Sequence, residues 1–195
     1  MEVPNHPQKP EMGTRNVSFS RVLFIEQDDF MENPIPKFFR LGPGREVRLR
    51  SAYLVKCVGF TKDPSTGIIT EVRCEYDPAS RGGTSPDGRK VKGTLHWVSE
   101  AHSWVGEVRL YDRFFSVPFP GQGGADYVKQ INPNSLQVLK ECRLESRLGA
   151  AKAGEAFQFE RQGYFCGDSR ESMQGRPVFN RTVTLRDSWA KERVS

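Results

Sequence analysis

No stretch of this chain carries the three-to-four-residue apolar repeat of an amphipathic helix for more than three turns. Short runs of Val, Ile, Leu, Tyr and Phe recur instead between clusters of Gly, Pro, Asp and Ser. A sequence punctuated by 18 Gly and 13 Pro in 195 residues is cut too often for long helices. Doubly wound and helical-bundle folds are excluded on this pattern. An all-β protein of about eight to ten strands, arranged in one or two antiparallel barrels, remains. With 36% hydrophobic residues it can bury a core without metal or disulfide staples.

Strand-like runs lie at 17–25, 46–60, 68–76, 90–98, 107–115, 135–144, 156–165 and 177–186, the longest being 46–60. Asp63-Pro64-Ser65-Thr66-Gly67 predicts a hairpin turn between two of them. Residues 77–89 and the glycine-rich 117–125 read as loops, and short helical segments are expected near 101–104, 125–130 and 147–153. Residues 1–14, with Pro4, Pro7 and Pro10, read as an extended lead-in to a chain entered partway.

Charge is concentrated. Lys37, Arg40, Arg45, Arg48, Arg50 and Lys56 face one acid, Glu46, in that stretch, so it alone holds the net +5 of the whole chain. The remaining 23 Lys and Arg are matched by 23 Asp and Glu. A localised positive field suits a polyanion. Within the run Val47 and Leu49 alternate with Arg48 and Arg50, and the two-residue period of a strand sends the aliphatic pair one way and both guanidiniums the other.

Cys57, Cys74, Cys142 and Cys166 are scattered singly and read as reduced, mostly buried thiols. No apolar stretch reaches the roughly 18 residues of a membrane span and no secretory leader pattern is present, so a cytoplasmic protein is expected. The sequons at Asn16 and Asn180 then carry no glycosylation argument.

Enzymatic chemistry finds no constellation. Ser99, His96 and His102 lack a nucleophile elbow, three histidines without ligand spacing make no metal shell, and Gly121 to Gly124 lacks the frame of a phosphate loop. No catalytic residue, metal or cofactor is expected in this chain. The basic run has a plain rival explanation, since exposed strand faces carry arginine for solubility. Against it stand the interleaved aromatics Phe38, Phe39 and Tyr53, and a second basic cluster at Arg81, Arg89, Lys90 and Lys92. Strand-mounted guanidiniums beside aromatics fit single-stranded or looped RNA, whose bases can be stacked upon and hydrogen-bonded; duplex DNA calls for a recognition helix. A basic module that meets an acidic protein is the alternative. In Ala156-Phe157-Gln158-Phe159-Glu160-Arg161, regular pleating puts Gln158 and Arg161 on opposite faces, so a common pocket requires a bulge or strand end near Arg161.

Long blocks of the chain are similar to one family. They are Gly44 to Arg50 (GREVRLR), Asp87 to Gly93 (DGRKVKG) followed by His96 to Ser99 (HWVS), Arg109 to Arg113 (RLYDR), Phe157 to Arg161 (FQFER) and Pro177 to Val183 (PVFNRTV). The likeness runs from Pro4 to Trp189-Ala190-Lys191 and resembles the C-terminal anticodon-binding region of glutaminyl-tRNA synthetases, a domain shared with glutamyl-tRNA synthetases of eukaryotic type. It implies two packed antiparallel β-barrels, residues 26–101 inserted into a barrel built from 1–25 and 102–195. It also implies that Arg40 reads the third anticodon base, Arg48 and Arg50 the first, and Gln158 with Arg161 the middle one. Lys37 and Phe39 stand where family members often carry glutamine and lysine, implying a phosphate contact and a packing or stacking role. A further middle-base arginine of the family falls upstream of residue 1. The implied partners are tRNA-Gln and the enzyme's own catalytic domain, the whole being a monomer that attaches glutamine with ATP. The catalytic signatures HIGH and KMSKS do not occur here, so this chain alone is not expected to charge tRNA.

Overall fold

A computed structural model describes residues 1–185. The expected strand end at Arg186 and the matching Trp189 to Lys191 lie outside the described residues. Among the described residues the fold is all-β, with thirteen strands and only short 3-10 turns between them, the longest being Ser146–Ala150. No helix among the described residues is long and apolar enough to cross a membrane. The chain divides into two compact units, Met1–His102 and a second from Ser103 onward.

In the first unit β1 (Glu2–Pro4) pairs antiparallel with β2 (Thr14–Asn16), so the expected lead-in is a small strand pair. The strands β3 (Leu23–Phe24), β4 (Glu46–Leu49), β5 (Leu54–Lys62), β6 (Ile69–Tyr76), β7 (Thr94–Leu95) and β8 (Val98–Ser99) follow. They form a β3-β8 pair and a four-stranded sheet ordered β6-β5-β4-β7, in which β4 and β7 run parallel. The core gathers Val3, Val17, Leu41, Val47, Leu49, Ala52, Val55, Leu95 and Trp97. Because Val3 and Val17 bury their side chains here, residues 1–25 belong with this unit.

The second unit holds β9 (Trp104–Tyr111), β10 (Leu136–Leu144), β11 (Ala156–Phe159), β12 (Gly163–Gly167) and β13 (Val178–Val183) in one sheet ordered β10-β9-β13-β12-β11. Most pairs are antiparallel, but β13 runs parallel to β9. The all-β expectation is met, and among the described residues two of the sheets each carry one parallel pair, β4-β7 and β13-β9. Alternation along β11 sends Phe157 and Phe159 inward, where Phe159 stacks on Phe165 at 4.3 Å between centroids and Phe157 meets Phe179 edge-on at 5.7 Å.

Three expected strands are broken, among them 156–165, which turns back after Phe159 into β12. The run 46–60 folds back on itself after Leu49: Ala52 N–H donates to Leu49 O at 3.0 Å, and Ser51 takes a left-handed φ of 56° between them. No Gly or Pro marks this turn, so a strand pattern that runs on through it conceals it. The run 90–98 supplies two short strands, β7 and β8, to two different sheets. Of the four cysteines, all free thiols, only Cys57 is fully buried. Cys74 faces it across the β5-β6 ladder, and desolvation first, then Cys57, pushes the Cys74 thiol up to about 12 although the residue as a whole is exposed.

The hairpin turn at Asp63 is closed by its own carboxylate. Ser65 and Thr66 both donate backbone N–H and hydroxyl groups to Oδ1, between 2.5 and 3.0 Å. These bonds, the Ser65 hydroxyl foremost, lower the carboxyl to about 2. A carboxylate favoured in the fold adds stability above its ordinary value near 3.8, and that contribution is lost as pH falls through about 2. An NMR titration of Asp63 is therefore expected to give a midpoint near 2, with the Ser65 and Thr66 amides shifting in step; Asp63→Ala is expected to abolish that transition and fray the turn. Gly93 yields a second prediction. A Cβ there meets the Phe39 carbonyl far inside contact distance and Val47 Cγ1 at 3.0 Å. Gly93→Ala is expected to cost about 1–3 kcal/mol in urea unfolding, because backbone rather than a mobile side chain must move.

Candidate nucleic-acid interface

Arg40 is placed by its neighbour. Leu41, 2% exposed, is drawn into the core and bonded to Asp29 O (2.9 Å) and Met31 N (3.0 Å), which leaves Arg40 at the edge of that bridge. Its Nη1 donates to Asp28 O at 2.9 Å and lies 3.4 Å from Oδ1 of the fully buried Asp29, while 38% of the side chain stays exposed. The guanidinium carbon sits 6.0 Å from the Phe38 ring. One side of the fork is thereby anchored, fixing the direction of the rest. Lys37 projects from a turn in which Phe38 N–H donates to Ile35 O at 3.2 Å, with Pro36 at the second position and Lys37 at a φ of 66°. Phe39, 51% exposed, is capped by the Lys92 ammonium 5.1 Å from its centroid, so the packing role expected for Phe39 has a definite partner.

Arg48 and Arg50 flank the buried Leu49. The alternation holds: Val47 is 1% and Leu49 2% exposed, and both arginine side chains reach away from that core. The rigid fork on one strand is corrected in its second half, because β4 ends at Leu49 and Arg50 opens the turn. Its backbone is nonetheless pinned: Arg50 N–H donates to Leu95 O at 3.0 Å, and Arg50 O accepts from Trp97 Nε1 at 3.0 Å. Arg50 is exposed, whereas Arg48 is half-buried and donates from Nε to the carbonyl of Gly83. Gly93 joins the two arginine sites, abutting the Phe39 carbonyl while its own carbonyl accepts from Arg48 N–H at 2.8 Å.

The second basic cluster divides. Arg81, Lys90 and Lys92 are exposed. Arg89, expected to touch RNA backbone, is bonded to three acids while 35% of its side chain stays exposed: Nε and Nη2 meet both oxygens of Glu46 at 2.9 and 2.8 Å, Nη2 also meets Asp77 at 2.9 Å, and Nη1 meets Asp87 at 2.7 Å. Those bonds, Glu46 foremost, raise the guanidinium above its ordinary range. Arg109 in the second unit is a parallel case, held by Glu107, Glu171 and Asp168 and raised chiefly by Glu171 and Glu107.

In the second unit Gln158 is exposed on β11, directly opposite Tyr164 of β12. The strand end that a common pocket requires is present: β11 stops at Phe159, Gln162 N–H donates to Phe159 O at 3.0 Å, and Arg161 takes a φ of 64° inside this turn. Lys37, Ser51 and Arg161 are the described non-glycine residues with left-handed backbone. Such conformations cost about 1–2 kcal/mol each and collect at functional positions. Tyr164, 46% exposed beside Gln158, joins this face, and its sequence signal is only an aromatic in a strand-like run.

Residues 1–77 and 94–168 each match a family described as tRNA synthetases class I (E and Q), anti-codon binding domain. The chain is 53% identical over 192 residues to a glutamine–tRNA ligase of Bradyrhizobium diazoefficiens, 98% of this chain and 34% of that protein. It is 54% identical over 191 residues to the ligase of Nitrobacter winogradskyi, covering 98% and 34%. It is 53% identical over 189 residues to that of Escherichia coli O157:H7, covering 97% and 34%. The chain thus spans about a third of the length of the curated relatives it matches. With exposed, backbone-anchored arginines in the first unit and matches over both units, this chain belongs to the anticodon-binding domain family of the class I tRNA synthetases for glutamate and glutamine.

Proposed function

We propose that this chain is the anticodon-reading part of a cytoplasmic, monomeric glutamine–tRNA ligase, and that its ligand is the anticodon loop of tRNA-Gln. The observation that carries the reading is the arrangement around β4, where an exposed arginine and a half-buried one flank a leucine buried to 2%. Unstacked bases present hydrogen-bonding edges that such fixed planar donors match. Arg48 and Arg50 serve the first base, Arg40 the third, and Gln158 with Arg161 the middle one. Lys37, Arg81, Lys90 and Lys92, exposed and cationic, serve the phosphate backbone. The glutamine–tRNA ligases among the relatives favour glutamine over glutamate as the amino acid of the whole enzyme. Activation of glutamine with ATP is assigned to the rest of that enzyme.

Binding to anticodon stem-loops tests the reading. Arg40→Ala and Arg50→Ala are each expected to cost about 1–3 kcal/mol for the tRNA-Gln loop and far less for an unrelated loop. Lys90→Ala is expected to weaken both loops alike and to flatten the salt dependence by about one phosphate contact. Equal losses for both loops in the arginine variants sink base reading and leave an electrostatic module.

A further inference from the structure

Arg89 lies in the middle of the basic cluster, yet three carboxylates surround it. Glu46 begins β4, Asp77 follows β6, and Asp87 belongs to the turn just before Arg89, so one guanidinium ties three separate pieces of chain. The segment between Asp77 and Arg89 is fastened at two further points. Buried Ser80 accepts from Leu54 N–H at 2.8 Å and donates to Asp77 O at 2.6 Å. Gly83, with a φ of 84°, offers its carbonyl to Arg48 Nε. A Cβ at Gly83 falls 2.8 Å from Arg48 Cδ, so the segment rests directly on that side chain. Glu46 and Arg48, two apart on β4, share a face, and the segment is strapped over it. With three carboxylates on it, the Arg89 guanidinium has its own charge already matched and offers a phosphate little attraction of its own.

We propose that Arg89 is a positioning residue: it touches no nucleotide, and by clasping Glu46, Asp77 and Asp87 it holds the Gly83 carbonyl where that carbonyl aims the Arg48 guanidinium at a base. This rests on the reading that Arg48 faces the anticodon. A second-layer clasp acts only through its client, so its removal has no effect once the client is gone.

The experiment is a double-mutant cycle on the full chain with Arg89→Lys, which keeps the charge and loses the fork, and Arg48→Ala. Binding is measured to the tRNA-Gln anticodon stem-loop and to the same loop with its first anticodon base changed, across a salt series. Arg89→Lys is expected to lose roughly tenfold for the matched loop only, with an unaltered salt slope, and to lose nothing further in the Arg48→Ala background. Gly83→Ala, which pushes on Arg48 and leaves Arg89 intact, is expected to give the same base-selective loss. A loss equal for both loops, a slope reduced by about one contact, or full additivity with Arg48→Ala overturns the proposal in favour of direct phosphate binding. If Arg89→Lys lowers the melting temperature enough to unfold the chain, Gly83→Ala decides alone: no base-selective loss there overturns the proposal. If Arg48→Ala itself shows no base dependence, the anticodon reading beneath the proposal fails, and the proposal with it.

Discussion

The burial of Val47 and Leu49 on either side of Arg48 is the constraint from which the rest of the first unit follows. Each buried aliphatic side chain contributes on the order of 1.5–3 kcal/mol, far more than an exposed ion pair on the other face. The core therefore dictates the orientation of β4, and the arginines take the direction left to them. β4 is only four residues long, but β5 pairs with it on one side and β7 on the other. Strand ends are ordinarily soft, yet the peptide of Arg50 is bonded on both faces, to Leu95 and to Trp97. Stiffness of this kind lowers the entropy lost on binding, which is what the proposed base contacts require.

Charge alone does not mark a candidate interface, because the cations differ in what already holds them. Arg89 and Arg109 are each gripped by several carboxylates and act as internal ties, whereas Lys90, Arg81 and Arg50 face outward. Arg40 and Arg48 stand between these extremes, with one edge anchored to main chain and the remainder partly open. An anchored, partly exposed guanidinium is better suited to base reading than a fully mobile one, since fewer rotamers are lost when the base arrives.

Much of this was legible beforehand where the physics is local. Period-two alternation gave the inward Val47 and Leu49 and the inward Phe157 and Phe159; the Asp63 turn carried its own chemistry; the clustering of Gly and Pro gave the all-β class. What stayed hidden is of two kinds. Turns at Ser51, Lys37 and Arg161 use left-handed backbone without glycine, a conformation each residue disfavours and the flanking strands impose. Membership of residues 1–25 in the first unit depends on Val3 and Val17 reaching a core built from residues more than twenty positions away.

The amino-acid sequence by itself determined that this chain is a β protein, that its positive field is focused on one stretch, and which faces of its strands are wet, because these depend on neighbours one or two residues apart. Tertiary structure alone decided which cations are available. Arg89 and Lys90 are adjacent in the chain, but only Arg89 meets carboxylates 12 and 43 residues away, and only the folded backbone brings them within hydrogen-bonding distance.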